Sequence, residues 1–185
     1  MASIVLFHSA LGLTTGVKQF AETFTRDGHT VLTPDLFDGE TFRTVEDGVR
    51  KRDALGIPEL MQRAAKAAEA APATCFYAGF SMGAAAAQWL GASRPGARGV
   101  VLMNAVLPLA AMGMTAWPDV PVEVHLSEGD PWVDSGVLEG FAAAASAQVF
   151  RYPGNAHLFA ESSSPDFKAK QAALLLERVR VFVQR

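Results

Sequence analysis

Thr74-Cys75-Phe76-Tyr77-Ala78-Gly79-Phe80-Ser81-Met82-Gly83-Ala84-Ala85-Ala86-Ala87 reads as a strand that passes without a loop into a helix. Residues 74–80 are aromatic, small or β-favouring, as in a buried strand, and the alanine run that follows is helical. At the junction Gly79-Phe80-Ser81-Met82-Gly83 has the form G-x-S-x-G. So sharp a strand-to-helix turn strains the backbone at its central residue. It leaves no room for side chains two positions before and two after, where Gly79 and Gly83 stand. Ser81 then heads a helix, where free backbone N–H groups and the helix dipole favour developing negative charge. A serine held in this way is a candidate nucleophile.

Outward from this turn, short β-type runs alternate with longer helical ones. Strands are predicted at 3–8, 29–34, 74–80, 99–104, 121–127 and 148–152. Helices are predicted at 16–27, 58–71, 82–92, 134–146 and 165–183. The segment 35–57 reads as a loop with a short helix that could form a partial cap, and 105–120 as irregular. Strands alternating with helices imply a mostly parallel six-stranded sheet covered on both faces, a three-layer α/β sandwich. The 185 residues fit one domain, residues 1–185, with no repeat, linker or large lid. Such sheets carry their functional groups at the C-terminal ends of the strands.

A nucleophilic serine needs a base, and the base needs an orienting group. There are four histidines. His29 begins the second strand, at the wrong end, and His125 lies within the fifth, where a core role fits better. His8 ends the first strand. His157 follows the sixth, and the chain order serine, acid, histidine selects it as base. The acid should follow the fifth strand, where Ser127-Glu128-Gly129-Asp130-Pro131-Trp132-Val133-Asp134 stands. Asp130, on the turn, is the orienting acid. Asp134 is better placed to cap the next helix, and Glu128 is a weaker alternative. An oxyanion hole needs two backbone N–H groups. Met82 supplies one, and Ala10, in His8-Ser9-Ala10-Leu11-Gly12-Leu13, is the candidate for the other. His8 and Ser9 either shape that loop or bond near the nucleophile.

Four segments, in order along nearly the whole chain, resemble the dienelactone hydrolase family of α/β-hydrolases in its serine-nucleophile form. They are Val5–Leu13, Thr33-Pro34-Asp35-Leu36-Phe37, Gly79–Gly83, and the pair Glu128-Gly129-Asp130 with Gly154-Asn155-Ala156-His157-Leu158-Phe159. The resemblance implies an α/β-hydrolase fold, Ser81, Asp130 and His157 as catalytic triad, and Ala10 and Met82 as oxyanion donors. The best-known members use cysteine where Ser81 stands and a glutamate where Ser9 stands. They carry an arginine for the substrate carboxylate where Glu161 stands, so the resemblance extends to fold and triad more than to a carboxylate substrate.

The reading is a serine hydrolase that cleaves a carboxylic ester or lactone through an acyl-enzyme on Ser81. A thioesterase or peptidase with the same triad, and a non-catalytic small-molecule-binding protein on this scaffold, remain open. A nucleotide-binding domain fits less well, because G-x-G-x-x-G spacing is missing and the glycine turn follows the third strand. Leu11, Leu13, Leu107, Met112, Trp117, Trp132 and Leu158 are candidate substrate-binding residues, with Met82, Met114 and Phe159 near them. The partner is a small ester-type molecule. A net charge of −3 with scattered cations advertises neither nucleic acid nor a lipid surface. Arg50-Lys51-Arg52 reads as a solvated helix start. One cysteine, Cys75, and no metal-spaced Cys/His cluster imply no disulfide, metal or cofactor. A cytoplasmic location is the default, with no signal peptide or membrane span in view.

Overall fold

The computed structural model describes residues 1–185. Six short strands form one sheet: β1 (Ser3–Phe7), β2 (Thr30–Leu32), β3 (Phe76–Phe80), β4 (Gly99–Met103), β5 (Val122–Ser127) and β6 (Gln148–Tyr152). Their order across the sheet is β2-β1-β3-β4-β5-β6. Every pairing is parallel, so the expected mostly parallel sheet is wholly so. Side chains alternate between two apolar faces. Ile4 and Leu6 of β1 join Phe20 and Phe24 of α1 (Thr15–Arg26) and Leu175, Val179 and Phe182 of α6 (Ala169–Val183). Val5 and Phe7 point the other way, towards α3 (Ile57–Ala68), α4 (Met82–Ser93) and α5 (Ser135–Ala145). Each large apolar side chain buried in this way stabilises the fold by about 1.5–3 kcal/mol. This architecture is the α/β-hydrolase fold. No helix is long and apolar enough to cross a membrane.

The chain moves from β1 outward to β2, then crosses back to β3 on the other side of β1 and continues outward to β6. The direction of winding therefore reverses between β1 and β3, and loops leaving those two strands diverge to open a crevice there. Within 35–57, expected as a loop with a short helix, residues 45–55 form an eleven-residue helix, α2 (Val45–Leu55), capped by the Thr44 hydroxyl on Asp47 N–H. Gly56, with φ of 82°, breaks it from α3. The Arg50-Lys51-Arg52 triplet lies in the second half of α2, not at a helix start. Its members pair with Asp47, Glu40 and Asp53 respectively. Cys75 is buried and free, and sits just before β3 rather than within it.

Gly48 decides how α2 sits. A Cβ there would lie 1.7 Å from the Ala10 carbonyl oxygen and 3.1 Å from the Ala10 Cβ. Only a bare α-carbon lets the helix rest on the loop that follows β1. Gly48→Ala must displace one of the two. We expect a stability loss of about 1–3 kcal/mol in denaturant titration.

Candidate active site

The β3–α4 turn has the close packing its sequence demands. A Cβ on Gly79 would meet the Gly83 carbonyl oxygen at 2.1 Å, and one on Gly83 would meet the Phe7 and His8 carbonyl oxygens at 2.5 Å. Between them Ser81 takes φ 49° and ψ −110°, a strained conformation for a side-chain-bearing residue. Such strain costs about 1–3 kcal/mol and persists only where the surroundings impose it. Here α4 packs on the sheet through Ala84, Ala86 and Ala87, all buried, and Ser81 N–H donates to the Met103 carbonyl at 2.7 Å. The turn thus lifts the Ser81 hydroxyl above the sheet edge.

His157 reaches it from three strands away. Beyond β6 the chain turns back across the top of the sheet, and Ser127 Oγ–H donates to the Ala156 carbonyl at 2.7 Å. His157 N–H donates to Asp166 Oδ2 at 3.2 Å. The imidazole Nε2 lies 2.7 Å from Ser81 Oγ, and Nδ1 lies 2.8 and 2.9 Å from Asp130 Oδ2 and Oδ1. Between two carboxylate oxygens Nδ1 must carry the proton, so Nε2 is the bare nitrogen that accepts from Ser81. Asp130 is buried and accepts Trp132 N–H at 3.0 Å. The Trp132 indole lies 5.6 Å from the imidazole, centroid to centroid. Asp134 caps α5 through Val137 N–H instead, and Glu128 is exposed.

Ala10 is buried in the loop after β1, and Met82 opens α4. No turn, loop or capping hydrogen bond takes the N–H of either residue. His8 locks the loop. Leu36 N–H donates to Nε2 at 2.9 Å, so Nδ1 carries the proton and donates to the Ser9 carbonyl at 2.7 Å. His8 thereby ties the β1 loop to segment 35–37. His29 holds the other end of the sheet, accepting Ala2 N–H at 3.1 Å, and His125 is buried in β5 against Phe150 and Tyr152.

Burial pushes the pKa of His8 down, against the opposing influence of its Ser9 bond and Asp35. Burial does the same to His125, against Glu123. Both therefore bind protons more readily in the unfolded chain, so stability rises with pH through the window below the ordinary histidine pKa and falls on acidification. We expect Tm to drop between pH 7.5 and pH 5.5. In His8→Gln, which keeps an acceptor for Leu36 N–H, the drop should be shallower. Thermal melts of both proteins at the two pH values check this.

A cavity of about 690 Å³ opens beside Ser81 and His157. Leu107, Met112 and Trp132 line it as expected from sequence, with Met82. The other candidate substrate-binding residues do not. Leu11 and Leu158 are core residues on the α1–α6 face, and Leu13 packs against that core. Trp117 packs edge-on against Phe141, and its indole N–H donates to the Val120 carbonyl at 2.8 Å. Glu161 does not face the cavity either. It is fully buried and faces the β1 loop.

Leu36, Arg52, Ile57, Leu60 and Met61 form one wall of the cavity. Residues 35–57, expected as a partial cap, thus border the site, whereas sequence reasoning missed Leu60 and Met61 of α3 and one polar residue. Asn104, the residue after β4, takes φ 66°, and its buried amide has no protein partner. A polar residue at the C-terminal end of a central strand was the available signal.

Fold and site together define an α/β-hydrolase. The dienelactone hydrolase family profile matches residues 1–185. The chain belongs to that family, whose members are hydrolases acting on ester and lactone bonds. Among solved structures it is similar to a Klebsiella pneumoniae protein assigned as a dienelactone hydrolase, at 16% identity and TM-score 0.77, covering 100% of this chain and 87% of that one. It is similar to a dienelactone hydrolase-like promiscuous phosphotriesterase from metagenomic libraries, at 18% identity and TM-score 0.75, covering 100% and 86%. It also resembles the dienelactone hydrolase of Anabaena variabilis, at 24% identity and TM-score 0.67, covering 98% and 87%. No curated protein matches the chain.

Proposed function

We propose that this chain is a serine esterase or lactonase working through an acyl-enzyme on Ser81. The observation that carries the reading is the unbroken line from Asp130 through His157 to Ser81, with every contact between 2.7 and 2.9 Å. His157 Nε2 takes the Ser81 proton as Oγ attacks the substrate carbonyl. The N–H groups of Ala10 and Met82 hold the resulting oxyanion. His157 passes the proton to the departing alkoxide, then activates water to release the acid. Asp130 orients the imidazole and stabilises its charged form.

The cavity supports a neutral, largely apolar acyl group, since 14 of its 18 lining residues are hydrophobic. Exposed Ile57 and Trp132 extend that apolar wall outward. The test is a fluorophosphonate probe on the folded protein, with the adduct mapped by mass spectrometry. A panel of p-nitrophenyl esters, lactones and thioesters of graded acyl length follows. Labelling at Ser81 and turnover of short to medium acyl esters is the expected result. A folded protein that takes no label leaves the binding-protein reading in its place.

A further inference from the structure

The segment after β6 is held at both ends of its crossing. Midway it delivers His157 to Ser81. Four residues later it ends on Glu161, a fully buried carboxylate that faces the loop after β1. Glu161 Oε2 accepts the Ser9 hydroxyl and Oε1 accepts the Thr14 hydroxyl, each at 2.8 Å. Both hydroxyls are themselves engaged by the backbone. Ser9 Oγ accepts Leu11 N–H at 3.1 Å, and Thr14 Oγ1 accepts Val17 N–H at 3.2 Å as the cap of α1. One carboxylate therefore pins residues 9–14, the loop that contains Ala10. On its own side, Glu161 N–H donates to the Leu158 carbonyl at 3.1 Å, closing the turn that begins one residue after His157. Ser163 Oγ, accepting Gly16 N–H at 2.8 Å, adds a second tie to α1.

A buried carboxylate is costly, and stability alone does not call for one. Burial raises the Glu161 pKa, while the Thr14 and Ser9 hydroxyls and the charge of His157 oppose that rise. Both hydroxyls donate, so the network seats the charged form. The groups facing the carboxylate are hydroxyls from the β1 loop and, on its own segment, His157. By reciprocity, the negative charge that His157 steadies also favours the imidazolium formed when His157 takes the Ser81 proton.

We propose that Glu161 is a positioning residue that sets two things at once: the reach of His157 over the sheet, and the shape of the loop carrying Ala10. The proposal rests on the serine-nucleophile reading above. It makes Glu161, Ser9 and Thr14 the brace between the base and the oxyanion hole, which arrive on loops after β6 and β1, strands far apart in the sheet.

The test compares wild type, Glu161→Gln, Glu161→Ala and Ser9→Ala. For each, kcat and KM on p-nitrophenyl butyrate, the rate of fluorophosphonate labelling, the pH–rate profile and Tm are measured. Glu161→Ala is expected to lower kcat and labelling by about 100-fold, with KM within about threefold of wild type. Glu161→Gln keeps the shape and loses the charge. It should lose about tenfold in kcat, and the acidic limb of its profile should move to lower pH. Ser9→Ala should lose kcat in the same sense with its acidic limb unmoved. If Glu161→Ala does not fold, the other two variants decide. Folded Glu161→Gln and Ser9→Ala with wild-type kcat and an unmoved acidic limb would overturn the proposal while leaving the serine nucleophile intact. A wild type that takes no label overturns both.

Discussion

Ser81→Ala is expected to lower kcat/KM on an activated ester by about 10⁵- to 10⁶-fold, and His157→Ala by a similar factor. The double variant should be no worse than either single one. The two side chains act as a unit, since a hydroxyl with no base is a weak nucleophile and an imidazole with no hydroxyl has nothing to activate. The 2.7 Å contact between Ser81 Oγ and His157 Nε2 is what couples them. Residual activity of about 10³- to 10⁴-fold over water should survive in all three, because the N–H groups of Ala10 and Met82 do not depend on either side chain. Ser81→Ala should leave Tm close to that of the wild type, since both residues carry a Cβ at φ 49° and only a half-buried hydroxyl is lost; fluorophosphonate labelling should disappear. Additive losses in the double variant, or labelling that survives Ser81→Ala, would sink the assignment.

Asp130→Asn is expected to lower kcat by about 10³- to 10⁴-fold with little change in fold. Both oxygens of Asp130 face His157 Nδ1, and they fix the proton there. An asparagine can turn its NH₂ towards Nδ1, which moves the ring proton to Nε2. That tautomer points a donor at Ser81 and cannot take its proton. The companion variant is Asp134→Asn. Asp134 caps α5 through Val137 N–H, and asparagine caps as well as aspartate, so kcat should stay within about twofold of wild type. Steady-state kinetics on the two variants separates an orienting acid from a capping one, four residues apart on one turn.

The sheet and the placement of the three candidate site residues were legible because each is signalled locally. A buried parallel strand is a short apolar run, and the six runs fell where the six strands lie, differing mainly at the ends. Strand β2 is shorter than predicted, three residues instead of six. It is an edge strand approaching Pro34, which has no N–H to give a neighbour. The turn at Ser81 announces itself through Gly79 and Gly83, whose small size is a steric requirement of the turn alone. Asp130 and His157 follow from one rule, that loops leaving the C-terminal edge of such a sheet carry the reactive groups.

Layer order, the strained serine and the chain order of its candidate partners are written in residue size, periodicity and position relative to strands. The rest depends on contacts between segments distant in the chain. Tertiary packing placed Leu11 and Leu158 in the core and Leu107 and Met112 at the cavity, because apolarity says that a side chain leaves water but not which neighbours it finds. It turned the polar 45–55 segment into a helix against Ala10, through one bare α-carbon at Gly48. It joined Glu161 to Ser9 across 152 residues of chain. Such contacts are made only when two distant loops meet above the same sheet edge, and no local pattern of residues encodes the meeting.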